Sequence, residues 1–263
     1  MLGNYETWAF EHEGRSKRIH ARGTGPGVIL LHELPGITPE FVRFSDWLVE
    51  AGFRTYMPDL FGQAGRPATT GYVVRSFLGI CLSREFSALA AGSSGVLTGW
   101  LRALARHVQQ ECGNSRVGAV GMCLTGHFAL ALMMEPCVGA AVLSQPSLPL
   151  PLGARRRAAL HAPESALRCA EERCRAGMKV IGLRFRTDRL CPADRFETLR
   201  RRLGDAFIAL ELDPADANPA SPNPMPHGVL TTDLVDRGGE PTKDAALRVI
   251  GFLQAQLPDP RAR

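Results

Sequence analysis

The chain of 263 residues is poor in lysine: only Lys17, Lys179 and Lys243 stand among its 31 basic residues, and the rest are arginine. Aromatic residues make up 7%, and they form no aromatic-and-basic module of the kind that clamps nucleic acid. Long hydrophobic runs are missing as well. No stretch approaches 18 consecutive apolar residues, which excludes a membrane-spanning helix. The N-terminal run MLGNYETWAFEHEGRSKR lacks a basic segment followed by an apolar one. No secretory signal is therefore expected, and the expected location is cytoplasmic. The seven cysteines include no CxxC pair, which argues against a four-thiolate zinc site. Their odd count in a chain without a signal does not fit a disulfide framework either. Neither metal nor cofactor is called for.

What is present is a globular composition, 45% hydrophobic and 22% charged, able to bury a sizeable core. The net charge of +5 includes the triplets Arg155-Arg156-Arg157 and Arg200-Arg201-Arg202. They could form a phosphate-binding patch, but interleaved acids favour solvated helix faces. Neither a nucleic-acid nor a membrane partner is expected. The length suits one large domain over residues 1–263, monomeric or homodimeric.

Residues 8–13 and 18–22 alternate around a glycine turn and predict an antiparallel hairpin at a sheet edge. Continuous apolar runs at 27–33, 116–122 and 138–145 suit strands buried on both faces. Further strands are expected at 53–60, 178–188 and 206–213. Helical patterns run from Pro39 to Ala51, over about 84–112 with a break near 92–95, and over 124–134, 163–176 and 242–256. Strand and helix alternate nearly throughout, so the fold class is α/β: a mostly parallel sheet with helices on both faces and an antiparallel N-terminal edge. Residues 61–75 and the five-proline stretch 213–226 read as loops.

The most informative stretch is Gly121-Met122-Cys123-Leu124-Thr125-Gly126, lying between a strand and a helix pattern. It resembles a nucleophile elbow, G-x-S-x-G, with cysteine at the centre and threonine where the second glycine is expected. A cysteine at a helix N-terminus has its thiolate stabilised by the helix dipole. The motif alone leaves Cys123 open between a nucleophile and a small core residue. The backbone N–H of Leu124, and that of Leu34 just after the 27–33 strand, are where an oxyanion hole needs donors. Glu33 beside it is costly to bury unless hydrogen-bonded or functional.

An orienting acid and a histidine should follow in that order. Asp188 ends the 178–188 strand, and His227 lies in the last long loop. Asp194, the competing acid, reads as a first-turn helix residue. Of the other histidines, His107 and His127 fall within helices, His161 in a proline-bounded connection and His32 near the oxyanion segment. His227 is the preferred base.

The segments His32-Glu33-Leu34-Pro35-Gly36, Pro58-Asp59-Leu60, Gly121-Met122-Cys123, Asp188-Arg189-Leu190-Cys191-Pro192 and His227-Gly228 resemble the dienelactone hydrolase family of the α/β-hydrolases, over roughly residues 25–255. The resemblance implies Cys123 as nucleophile, His227 as base, Asp188 as orienting acid, and Glu33 as the group that holds or deprotonates the thiol when substrate arrives. It implies hydrolysis of a small ester or lactone. A carboxylate-binding arginine expected shortly after the histidine is absent here; the nearest is Arg237. Arg84 is the other candidate for substrate binding. The same catalytic set would also serve a thioesterase or acyltransferase, and a silent ligand-binding homologue is the reading from another class. A glutaminase is disfavoured, because His227-Gly228-Val229 is not an H-x-E pattern.

Overall fold

The computed structural model describes residues 2–69, 71–73, 75–76, 95–113, 115–223 and 225–258. Arg84 and Cys81, and the first part of the 84–112 helical pattern, lie outside the described residues.

An eight-stranded sheet runs in the order β1-β2-β4-β3-β5-β6-β7-β8. Its strands are β1 Glu6–His12, β2 Arg15–Arg22, β3 Gly27–Leu31, β4 Arg54–Pro58, β5 Val117–Met122, β6 Val138–Ser144, β7 Val180–Phe185 and β8 Phe207–Leu212. The β1–β2 and β2–β4 pairs are antiparallel, and every other pair is parallel. The expected hairpin thus forms the edge, extended at both ends, and the central apolar runs become strands. β3, β5 and β6 are buried along their whole length, as strands covered on both faces must be.

The described helices are α1 Pro39–Glu50, α2 Gly95–Glu111, α3 Gly126–Leu132, α4 Ala154–Ala158, α5 Glu164–Arg175, α6 Ala193–Leu203 and α7 Pro241–Gln256. α1 starts where Thr38 accepts a hydrogen bond from the Phe41 N–H and Pro39 fills the first turn, a position that needs no donor. Its Phe41, Phe44 and Leu48 are buried, each contributing roughly 1.5–3 kcal/mol of apolar burial. Together with α7 they cover one face of the sheet. Trp100, Leu101 and Leu104 of α2, Phe128 of α3, Leu167 of α5 and Phe196 of α6 cover the other.

Two helices were not expected as elements. α4 carries the first arginine triplet and buries no side chain. α6 has Asp194 in its first turn, as expected, and the second triplet in its last. The triplets meet acids: Arg157 pairs with Asp194 at 2.8 Å, Arg200 with Glu211 and Glu197, and Arg202 with Glu171 and Glu164. Among the described residues, no helix is long and apolar enough to cross a membrane, and none of the six described cysteines is in a disulfide.

Candidate active site

β3 and β5 are neighbours, with Leu31 opposite Gly121. The chain segments leaving their C-terminal ends, 32–36 and 123–126, therefore emerge side by side at one sheet edge. Cys123 sits on the second of them with φ 52°, a left-handed conformation that non-glycine residues adopt rarely and that marks strained functional turns. The expected helix after it begins as a 3₁₀ turn, Cys123–Thr125, before α3 proper. The close chain crossing explains the flanking glycines. A Cβ on Gly121 would lie 2.5 Å from the Thr125 carbonyl oxygen, and one on Gly126 would lie 2.8 Å from Pro146.

Thr125, the departure from the expected pattern, ties the turn together. Its Oγ1 accepts the Met122 N–H at 3.1 Å and lies within hydrogen-bonding reach of the carbonyls of Leu31 (2.8 Å), Met122 (2.8 Å) and His32 (3.2 Å). The hydroxyl links the Cys123 turn to the end of β3, a contact that a glycine there would lack.

Cys123, Glu33, Leu34, Asp188 and His227 line one cavity of about 240 Å³. Ala68, Val73, Leu190, Met225 and Pro226 supply its apolar wall, and Asn223 and Thr232 its remaining polar surface. Leu124 is buried directly behind Cys123. The fold thus gathers the expected nucleophile, acid, histidine and oxyanion segment, which are separated by up to 194 positions in the chain.

His227 Nδ1 donates to Asp188 Oδ2 at 2.8 Å, and the pair is largely buried. Asp188 is held in turn by the N–H groups of Leu190 and Cys191, which reach its Oδ1 at 2.8 and 3.1 Å. Burial alone would lower the pKa of His227. The neighbouring Cys123 sulfur and the Asp188 carboxyl, each through charge and hydrogen bonding, outweigh it and lift the imidazole well above its ordinary value. The site therefore favours an imidazolium beside the sulfur.

Glu33 is 5% exposed. Its Oε2 accepts from Gln145 Nε2 at 2.8 Å and its Oε1 from the Thr231 hydroxyl. Burial raises its pKa, against the opposing pull of His227, Thr231 and Gln145. These hydrogen bonds offset part of the cost of burying the carboxyl.

The competing groups fall elsewhere. His32 is fully buried and neutral: Nδ1 donates to the Glu33 carbonyl at 3.1 Å while Nε2 accepts the Leu60 N–H at 3.1 Å. Burial pushes its pKa down to about 4. His127 packs against Phe128 and His161, and His107 lies on α2 beside Glu111 and the Phe10 ring. Arg237 is exposed and pairs with Glu240.

Besides Thr231, Asn223 and Thr232, three side chains that hold the site together escaped the sequence reading. Asp233 Oδ2 accepts the N–H groups of His227 (2.8 Å) and Gly228 (2.7 Å), fixing the histidine's loop. Ser147 Oγ lies 3.4 Å from His227 Nε2, and the Ser147 N–H reaches the Cys123 carbonyl at 3.0 Å. Gln145, at φ 35°, directs its amide onto Glu33. An acid six positions after His227 was the one available signal. The other two depend on the course of a proline-rich loop.

A mostly parallel eight-stranded sheet with a sharp strand-to-helix turn at the end of β5 defines a protein of the α/β-hydrolase fold. Three solved structures share it. A dienelactone hydrolase from Anabaena variabilis is 13% identical, with a TM-score of 0.59 over 97% of this chain and 99% of that one. A cold-adapted esterase from an Arctic intertidal metagenomic library is 16% identical, TM-score 0.59, over 97% and 98%. A dienelactone hydrolase-like promiscuous phosphotriesterase from metagenomic libraries is 15% identical, TM-score 0.58, over 96% and 98%. No curated protein matches the sequence. The family profile matches residues 18–213, and the chain belongs to the dienelactone hydrolase family.

Proposed function

We propose that the protein hydrolyses small esters or lactones by covalent thiol catalysis, with Cys123 as nucleophile, His227 as acid and base, and Asp188 orienting the imidazole. The observation that carries this reading is the Asp188–His227 hydrogen bond in the wall of the cavity that Cys123 also lines. The Cys123 thiolate attacks the ester carbonyl carbon, and the carbonyl electrons move onto oxygen. The N–H groups of Leu34 and Leu124 receive the oxyanion. As the tetrahedral centre collapses, His227 Nε2–H protonates the departing alkoxide and a thioester remains on Cys123. Water then adds to the thioester, losing its proton to Nε2, and the thiolate leaves with release of the acid. Glu33, within the field of His227, is the carboxyl that responds to substrate.

The test is turnover of a panel of aryl esters and lactones by wild type and Cys123→Ala. Loss of at least about 10⁴-fold in kcat is expected, as for other nucleophile deletions. Unchanged turnover would remove Cys123 from the reaction.

A further inference from the structure

Arg195 of α6 is 1% exposed, and all its hydrogen-bond partners are backbone carbonyls. A guanidinium carries five N–H donors, and five carbonyls meet them. Nε donates to Ala159 at 3.0 Å, Nη1 to Pro146 at 2.6 Å and Leu190 at 3.2 Å, and Nη2 to Pro149 at 2.7 Å and Arg156 at 3.2 Å. Three of these carbonyls belong to the segment 146–156, where prolines at 146, 149 and 151 remove backbone donors. Its buried carbonyls need donors from elsewhere.

Two of the five carbonyls belong to the turns that hold the His227 ring. Leu190 lies in the turn whose N–H groups grip Asp188, the partner of Nδ1. Pro146 immediately precedes Ser147, the neighbour of Nε2. Ser147 gives its own hydroxyl hydrogen to the Gln145 carbonyl at 2.9 Å. What it turns to the ring is an oxygen lone pair, 3.4 Å from Nε2.

We infer that Arg195 is a positioning residue: by bridging the Asp188 turn and the Ser147 turn, it sets the distance between the two groups that hold the His227 ring. This rests on the proposed role of His227 as base. Arg195 does not line the cavity, so it acts on the rate rather than on substrate binding. A lysine, with three donors at one point, cannot span these carbonyls.

Arg173 is the internal control. It too donates to backbone carbonyls, those of Met133, Glu135, Pro136 and Val138, but at the start of β6, the sheet edge away from the cavity. The experiment uses the full chain with Arg195→Lys, Arg195→Met, Arg173→Lys and Ser147→Ala. It reads steady-state kinetics on an aryl ester and the pH dependence of Cys123 alkylation by iodoacetamide. Arg195→Lys is expected to lower kcat by about 100-fold, the effect of a misplacement near 1 Å, with KM within about threefold. Alkylation near pH 6 should slow by about tenfold, one pKa unit. Arg195→Met, whose apolar stem suits a buried site, should behave alike. Ser147→Ala should slow alkylation by about fivefold, the worth of one hydrogen bond, and Arg173→Lys should change neither readout. Folded Arg195 variants with wild-type kcat and alkylation profile overturn the proposal, as does an equal loss in Arg173→Lys. Failure of both Arg195 variants to fold overturns it too, assigning the residue to stability alone. If wild type cleaves no ester, the proposed function fails instead, and the alkylation profiles still decide the role of Arg195.

Discussion

Two buried carboxyls stand in the wall of one cavity, and their surroundings differ. At one corner Asp188 accepts two backbone N–H groups and the His227 Nδ1–H, an arrangement suited to a carboxylate. At the other, Glu33 meets a neutral amide and a neutral hydroxyl, and burial pushes its pKa up. The donors around each carboxyl, more than its residue type or its place at a strand end, decide what it can do. Asp188 is equipped to hold an imidazolium; at Glu33 burial favours the neutral form.

The sharpest way to break this contrast is Asp188→Asn. It preserves shape but presents the wrong hydrogen-bonding partner to Nδ1, and kcat should fall by about 10⁴-fold, as in the serine-protease triad. A fall of less than tenfold in steady-state assays would make the two corners equivalent.

Thr125 ties the Cys123 turn to the end of β3, next to the Glu33 corner. Thr125→Val strands the Met122 N–H and the one carbonyl that takes the hydroxyl hydrogen, and should destabilise the fold by about 1–3 kcal/mol in denaturant unfolding. No loss of stability would mean that the elbow holds its strained turn without the hydroxyl.

Glu33→Gln should leave kcat within about tenfold of wild type, the smallest effect on rate. Its signature lies in stability against pH. Because the folded pKa is raised, the folded state holds the Glu33 proton more tightly than the unfolded chain. That contribution is complete below the ordinary glutamate pKa of about 4.3 and is lost as pH rises through the folded value. Thermal unfolding of wild type should lose stability over that interval relative to Glu33→Gln, whose curve should be flatter. Identical slopes would mean that folding leaves the proton affinity of Glu33 unchanged.

The strands of the sheet centre were legible because burial on both faces writes continuous apolar runs, as in GVILL of β3 and VGAAVLS of β6. The elbow was legible because a chain crossing at 2.5–2.8 Å admits only glycine at positions 121 and 126. Only the start of α6 was legible, at Asp194; ADRFETLRRRL is dominated by charged residues, and its buried arginine looks from sequence like one more surface cation. Ser147 and Asp233 act through loops whose paths are set by tertiary contacts, and no local pattern announces them. The arginine surplus likewise divides only in the structure: Arg157, Arg200 and Arg202 of the triplets meet acids, while Arg195 is enclosed among carbonyls.

On the proposed function, Cys123 is the one activated thiol of seven. Exposure and activation make opposite predictions here, because Cys123 is 6% exposed whereas Cys112 and Cys169 are half-buried. Peptide mapping after brief, substoichiometric iodoacetamide treatment at neutral pH separates them. Cys123 should be carboxamidomethylated first, and Asp188→Asn should remove this preference. Labelling that follows exposure, with Cys112 and Cys169 ahead of Cys123, would contradict it.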